Sequence, residues 1–387
     1  MDLTGIAPEV FPYDHFLSVK EKRDRFIEEW FSGKRAAEAP VLITPPFNMW
    51  DGTCADRELF LRVNLWAMAT SAGWASDTVF PHLQPWYGVG IHAAAFGCEY
   101  VWLEEGGAPQ TYPVYQSADE LSGLKTPDLS TCAPMQEVLE RIRWYRSVTK
   151  DRLPISLTDT QSPNDTASLI LEVSEFFTVS SYEPERVAGL MEAITNVIIR
   201  FAESQLEAIG PNLSLPGHQM LCHPNWNGIS MSDDNMAFLS PAAYANACLP
   251  FNGRIAERFG GVAVHSCGNI IHNLPGLLQT PQLRQLECAG CALTKDTEPN
   301  PNEPEALRDA FKGTDAVLKV RVNKTELDLV DRFLAPGVKV AFSVTGVQTR
   351  EESEAVYAAF KKRIEQVTRL WPRTSEGSAS GETSRAL

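Results

Sequence analysis

A histidine and a cysteine stand two residues apart at the end of an apolar run in this 387-residue chain. The run, Val262-Ala-Val-His-Ser-Cys267, is followed by Gly268 and Asn269, which favour a turn. It predicts a buried parallel strand, on which side chains two positions apart lie on the same side. His265 and Cys267 can therefore aim at one point and supply half of a tetrahedral zinc site. A bare His-x-Cys is more often a buried cysteine beside a hydrogen-bonded histidine, so the prediction depends on its surroundings.

Other polar residues follow further predicted strands. Asp159 ends the segment 153–159, and the loop after the short segment 213–215 carries His218 and Cys222. Because the carboxyl ends of parallel strands meet at one edge, we predict Asp159 and His218 as catalytic residues and Cys222 as a further metal ligand. Asp159 can also cap a helix or belong to a loop, and the loop around Cys222 can simply pack on itself.

The elements that must position these residues alternate along most of the chain. Eight predicted strands lie near residues 41, 77, 154, 213, 262, 284, 317 and 339, with helical periodicity between most of them. Eight parallel strands alternating with helices close as a (β/α)8 barrel, so we predict one TIM barrel of the α/β class. We place it at residues 40–373, after an N-terminal helical arm at 1–39. The tail at 374–387 has no apolar face, which predicts disorder.

Two segments depart from this repeat. Residues 81–127 are rich in proline, glycine and aromatic residues, and they predict a long insertion over one end of the barrel, with a hairpin near residues 100–115. We predict that Trp86 and Tyr87 of this insertion, with Trp50 of an earlier loop, wall an apolar substrate pocket. The arm at 1–39 predicts a lid or a dimerisation arm, so a homodimer is left open.

The composition excludes several classes of protein. A net charge of −15 without a basic stripe argues against a nucleic-acid partner. The chain has no signal-peptide pattern and no long apolar run, which predicts a cytoplasmic protein without a membrane span. Its eight cysteines are then expected to be reduced core residues or ligands. One confident strand-end carboxylate is too few for a glycosidase barrel.

Several of these motifs together resemble the uroporphyrinogen decarboxylase superfamily. They are the run Ile229-Ser-Met-Ser-Asp-Asp-Asn-Met-Ala-Phe-Leu-Ser-Pro241, Tyr244, Pro250, the segment 260–269 and Tyr182-Glu-Pro-Glu-Arg-Val187. The resemblance covers roughly residues 40–370 and is nearest to the branch of cobamide-dependent methyltransferases. It implies the same barrel fold.

The resemblance also implies a metal site. In that branch, zinc is held by the His and Cys of the His-x-Cys motif and by a second Cys on the last strand. His265 and Cys267 match the first two ligands, whereas the predicted last strand, Val340-Ala-Phe-Ser-Val-Thr345, contains no cysteine. Either Cys222 or Cys288 supplies the third ligand, or zinc is held weakly, or this chain has lost zinc.

The resemblance implies two chemistries. The decarboxylases grip the substrate carboxylates with an arginine motif after the first strand, but the segment Thr44-Pro-Pro-Phe-Asn-Met-Trp-Asp51 contains no arginine. The leading hypothesis is therefore a zinc-dependent methyltransferase that works with a corrinoid protein or cobamide and transfers methyl between cobalt and a small molecule, as in O-demethylation or thiol methylation. The alternatives are a metal-free decarboxylase and a non-catalytic barrel that binds a corrinoid protein or a tetrapyrrole.

Overall fold

The computed structural model describes residues 5–47, 52–103, 107–222, 226–290 and 302–371. Its strands are β1 (Val41–Ile43), β2 (Glu99–Val101), β3 (Gln110–Tyr112), β4 (Ile229–Ser232), β5 (Val262–Ser266), β6 (Leu283–Ala289), β7 (Val317–Asn323) and β8 (Lys339–Thr345). Its helices are α1 (Tyr13–Phe31), α2 (Arg57–Gly73), α3 (Ile91–Ala94), α4 (Ala133–Thr149), α5 (Pro163–Ile170), α6 (Val173–Tyr182), α7 (Glu185–Ile209), α8 (Pro241–Ala247), α9 (Leu249–Phe259), α10 (Leu274–Leu277), α11 (Pro304–Phe311), α12 (Leu329–Phe333) and α13 (Arg350–Thr368).

Six strands form a parallel sheet in the order β1-β8-β7-β6-β5-β4. Extended segments at 77–83, 153–161 and 213–216 close the gap between β1 and β4. The N–H of Asp77 donates to the Val41 carbonyl at 2.8 Å on the β1 side. Isolated parallel bridges complete the ring, joining Leu83 to Ile155, Ile155 to Leu213, and Gln161 to Ser232. The predicted TIM barrel is therefore confirmed.

The closing segments differ from the prediction in detail. The strands expected near residues 77, 154 and 213 are extended stretches that pair through single bridges. Each contains a proline, at positions 81, 154 and 216, which lacks the N–H that a continuous strand ladder needs. Strand β4 was not predicted, because two of its four residues are serines that face the interior of the barrel.

The N-terminal arm forms the floor of the barrel. On α1, Ile27 and Trp30 are buried against Leu42, Val317 and Ala341, which face inward near the starts of their strands. This end lies opposite the carboxyl ends of the strands, where β5 delivers Cys267.

The outer faces of the strands form the main core with the surrounding helices. Val320 of β7 and Phe342 of β8, for example, are fully buried among residues of that core. The insertion carries the predicted hairpin, in which β2 and β3 pair antiparallel. Ser240 caps α8, and Pro250 lies in the first turn of α9. Among the helices of the described segments, none combines the length and the apolar character that a membrane crossing requires.

Candidate active site

Charged side chains occupy the interior of the barrel. Glu287 of β6 pairs in register with Lys319 of β7, and Arg321 lies two residues further along β7, so all three face inward. The interior of such a barrel is usually filled by branched aliphatic side chains. Three charged groups on strands that are covered on both faces therefore indicate a functional site.

Glu287 is the centre of this charged group. Its carboxylate is 1% exposed and accepts hydrogen bonds from Arg321 Nη1 at 2.9 and 3.1 Å. Lys319 Nζ lies 4.0 Å from Glu287 Oε1 and donates to the carbonyl of Gln219. Burial disfavours the negative charge, but Arg321, His265 and Lys319 together hold the pKa of Glu287 well below its usual value.

His265 is anchored by the same carboxylate. Its Nδ1 is hydrogen-bonded to Glu287, and its Nε2 lies 3.2 Å from Cys267 Sγ. Burial opposes protonation, yet the Glu287 charge and the hydrogen bonds to Cys267 and Glu287 outweigh it and raise the pKa of His265 to about 10. Arg321 Nη2 lies 3.9 Å from Cys267 Sγ. Both predicted ligands thus meet at the end of β5, and Cys267 is exposed.

Asp234 lies beside His265 and Cys267 and completes a group of three potential metal ligands. Its Oδ1 accepts a hydrogen bond from the Cys267 N–H at 2.5 Å and lies 3.9 Å from His265 Nε2. One donor atom from each of Asp234, His265 and Cys267 can be chosen so that all lie within 4.8 Å of one another. Asp234 was not among the metal ligands that the sequence predicted.

A buried network holds that loop in place. Both Asp165 carboxylate oxygens accept backbone N–H groups, from Asp234 and Asn235, at 2.8 Å each. The Asp233 N–H donates to the His265 carbonyl at 2.8 Å, which ties the loop directly to β5. Burial, reinforced in Asp165 by the neighbouring acids, raises the pKa of Asp165 and of Asp233.

The donor set of the group fits a zinc ion. It offers one imidazole nitrogen, one cysteine sulfur and one carboxylate oxygen, which are the usual types of zinc ligand. The separations of 3.2 and 3.9 Å from His265 Nε2 lie on either side of the ~3.5 Å between adjacent ligand atoms expected in a tetrahedral zinc site. The Glu287 carboxylate on Nδ1 is the outer contact that typically orients a zinc-binding histidine.

The two predicted catalytic residues lie together on the neighbouring wall. Asp159 is 3% exposed, accepts a hydrogen bond from Gln161 Nε2 at 3.0 Å, and has an oxygen 3.9 Å from His218 Nε2. Burial lowers the pKa of His218, although Asp159 opposes that effect. His218 and Glu287 line the same cavity, so this pair lies beside the charged interior of the barrel.

The remaining predicted site residues do not join the Asp234-His265-Cys267 group. Cys222 Sγ lies 3.7 Å from His82 Nδ1 and outside the Asp234 group. Trp86 is fully buried in a small cluster with Cys54 and Phe60, and Tyr87 stacks on Tyr100 at 5.9 Å between ring centres.

The structure therefore does not bring the two aromatic residues of the insertion to the cavity, and Trp50 lies outside the described residues. Cys288, the other alternative for a third ligand, is buried in the core on the outer face of β6. The predicted roles of Trp86, Tyr87 and Cys222 stay predictions.

A cavity of about 280 Å³ opens beside the charged group. Glu287, Lys319, Arg321 and His218 are among the residues that line it. Its volume is just below the ~300–1,000 Å³ that small-molecule sites usually occupy. The site is therefore suited to a small ligand.

A charged barrel interior, with a His-Cys-Asp group at the carboxyl ends of the strands, is typical of enzymes that act on small molecules. Residues 87–299 match the family model described as uroporphyrinogen decarboxylase (URO-D). The match covers more than half of the 387 residues, and the chain belongs to this family.

Two solved structures are similar to the chain. A methyltransferase from Methanosarcina mazei has a TM-score of 0.59 at 17% identity, over 86% of this chain and 96% of the other. A B12-independent methionine synthase from Shewanella sp. W3-18-1, solved with selenomethionine, has a TM-score of 0.36 at 12% identity, over 70% and 74% of the two chains. The first likeness shows a shared fold. No curated protein matches the sequence.

Proposed function

We propose that this chain is a methyltransferase that moves a methyl group between the cobalt of a corrinoid and a small-molecule donor or acceptor. His265, Cys267 and Asp234 would hold a zinc ion for this reaction. The observation that carries the proposal is the convergence of these three side chains above the buried Glu287 carboxylate. Membership of the family and the fold shared with a methyltransferase support it.

The residues around the ligands prepare them for a metal. Because Glu287 holds the Nδ1 side of His265, Nε2 faces Cys267 and Asp234 and is the nitrogen that would bind zinc once the metal displaces its proton. Cys267 is exposed at the end of β5, so the group is accessible to a partner. A bound zinc ion lowers the pKa of a thiol or hydroxyl that coordinates it and so creates a nucleophile at neutral pH.

His218 and Asp159 are the proposed proton-handling pair. Since burial lowers the pKa of His218, its imidazole is neutral at physiological pH and can accept a proton from the ligand. Asp159, with an oxygen 3.9 Å from His218 Nε2, then stabilises the imidazolium.

A corrinoid protein is the proposed partner. The ~280 Å³ cavity is at the small end of ligand sites, so the corrinoid would approach from outside, at the exposed Cys267 end. The reducing cytoplasm is the proposed compartment, because an exposed thiol stays reduced there.

Metal content tests the ligand set. We expect about one zinc per chain in protein purified without chelator, and its loss in Cys267→Ser and Asp234→Asn. Cys222→Ser is the matched control, because it removes a thiol of the same cavity that lies outside the group, and it should retain zinc. Loss of zinc in Cys222→Ser with retention in Asp234→Asn would refute the proposed third ligand.

Methyl transfer tests the reaction. Zinc-loaded protein should demethylate free methylcobalamin in the presence of a thiol acceptor, which changes the visible absorption spectrum of the corrinoid. Cys267→Ser should lose this activity, and Cys222→Ser should keep it.

A metal-free decarboxylase is the second candidate. The close approach of Arg321 to Cys267 favours it, since a guanidinium and an imidazolium can stabilise a thiolate or a substrate carboxylate without metal. Carbon dioxide release by chelated protein, unchanged in Asp234→Asn, would support this candidate against the methyltransferase.

A further inference from the structure

Lys319 carries a buried amine that the proposed methyl transfer does not use. It lies on β7 in register with Glu287 of β6, faces the interior of the barrel and is 7% exposed. It lines the cavity of about 280 Å³, as do Gln219 and Glu287, the two residues that its Nζ approaches. Lysine is almost never buried to this extent unless it is paired, so its partners decide the state of the amine.

These partners compensate the charge of the amine only in part. Among the described residues, Lys319 Nζ donates to the carbonyl of Gln219 and stands 4.0 Å from Glu287 Oε1, beyond hydrogen-bonding distance. The Glu287 carboxylate instead accepts from Arg321 Nη1 at 2.9 and 3.1 Å and is hydrogen-bonded to His265 Nδ1. One donated hydrogen bond is enough for a neutral amine, whereas an ammonium has three hydrogens to place.

The electrostatics also favour the neutral amine. Burial lowers the pKa of Lys319, the Glu287 charge opposes this shift, and the guanidinium of Arg321, two residues further along the same strand, adds to it. A lysine that is desolvated and next to another cation is a nucleophile, because more of it carries a free lone pair at neutral pH. A lysine in water has a pKa of about 10.4 and is almost wholly protonated.

Gln219 connects this amine to the proposed proton-handling pair. Its carbonyl accepts from Lys319, and its side-chain Nε2 lies 3.0 Å from His218 Nε2. Its backbone has a φ of 57°, in the left-handed region that few residues other than glycine adopt. Such conformations are retained mainly at functional sites, so the wall that holds Lys319 is shaped for more than packing.

We propose that Lys319 is a nucleophile that binds a small ketone or aldehyde covalently, as an imine, in the cavity. The Nζ lone pair attacks the carbonyl carbon and forms a C–N bond, and one hydrogen of the amine moves to the oxygen to give a carbinolamine. The C–O bond then breaks, the second hydrogen leaves with the oxygen as water, and a C=N bond remains. This step needs no oxidant, reductant, zinc or corrinoid, so it goes beyond the proposed methyl transfer.

Reductive trapping of chelated protein tests the proposal. The probes are acetone, pyruvate and acetoacetate at neutral pH, and borohydride is added to reduce any imine to a stable secondary amine. Peptide mass spectrometry then locates the added mass. We expect at least one ketone to label Lys319 about tenfold or more above the exposed Lys22, because an amine in water is almost wholly protonated at this pH.

Two variants assign the adduct. Lys319→Arg keeps a positive charge beside Glu287 and removes the amine, so the single adduct per chain should disappear from the mass of the intact protein. Lys22→Arg is the matched control on the exposed face of α1 and should form the adduct as the wild type does. Peptide mapping of the wild type decides the question even where Lys319→Arg fails to fold.

The proposal is overturned if none of the ketones labels Lys319 above Lys22 in the wild type, or if the adduct persists in Lys319→Arg. Zinc binding and methyl transfer without trapping at Lys319 would refute this inference alone. Trapping at Lys319 in a protein that binds no zinc and transfers no methyl group would refute the proposed function alone.

Discussion

Replacing Glu287 by Gln should change how the stability of the metal-free protein depends on pH. The Glu287 carboxylate is buried and hydrogen-bonded to His265 Nδ1, whose pKa is raised to about 10. In the unfolded chain the pKa of a histidine is about 6.5. A group whose pKa is raised on folding stabilises the protein fully below the unfolded value, and this contribution disappears as the pH rises through the folded value.

These two pKa values set the magnitude of the effect. For one group titrating at about 10 when folded and about 6.5 when unfolded, linkage gives a loss of about 3 kcal/mol of stability between about pH 7 and pH 9.5. In Glu287→Gln the main source of the raised pKa is gone, so this loss should fall below about 1 kcal/mol. The variant should also be less stable at pH 7, by ~3–5 kcal/mol, because His265, Lys319 and Arg321 lose the buried carboxylate that balances their charge.

Urea unfolding at the two pH values, with chelator present, measures both effects. Glu305→Gln is the matched control, because it removes an exposed carboxylate paired with Arg332 and should keep the pH dependence of the wild type. Equal losses of stability in wild type and Glu287→Gln over this pH interval would refute the assignment of the His265 proton to this ion pair.

Two further substitutions address the loop that carries the third ligand. Gly268→Ala should weaken zinc binding and cost ~1–3 kcal/mol of stability, because the added Cβ would lie 2.4 Å from the Ala237 Cβ. Zinc titration measures the first effect and urea unfolding the second. Unchanged values in both would contradict the close packing. Asp233→Asn should destabilise the protein by ~1–3 kcal/mol, because the carboxylate that accepts hydrogen bonds from Tyr244 and Asn252 becomes an amide with a single acceptor oxygen, and unfolding at neutral pH checks this.

The barrel could be predicted because its outer layer follows simple periodicity. Strands β5, β7 and β8 and the long helix α7 appear in the sequence as apolar runs and helical stripes, and the structure confirms them. The closing segments were less predictable, since their prolines and inward-facing polar residues weaken the strand pattern. Helices α5 and α6 were missed altogether.

The candidate site was predicted in part. His265 and Cys267 could be found because both ligands belong to one strand and two-residue spacing brings them to one side. Asp234 could not, because its proximity depends on the pairing of β4 with β5 and on the Asp165 network. Lys319 and Arg321 did carry a signal, since charged residues alternate with valines in an otherwise buried strand.

The ion pairs inside the barrel link the candidate site to the folding of the protein. Glu287, Lys319 and Arg321 occupy positions that fill the centre of the barrel, so a substitution that alters the candidate site there also alters the free energy of unfolding. Variants at these three positions should therefore be compared in stability before a loss of activity is assigned to chemistry.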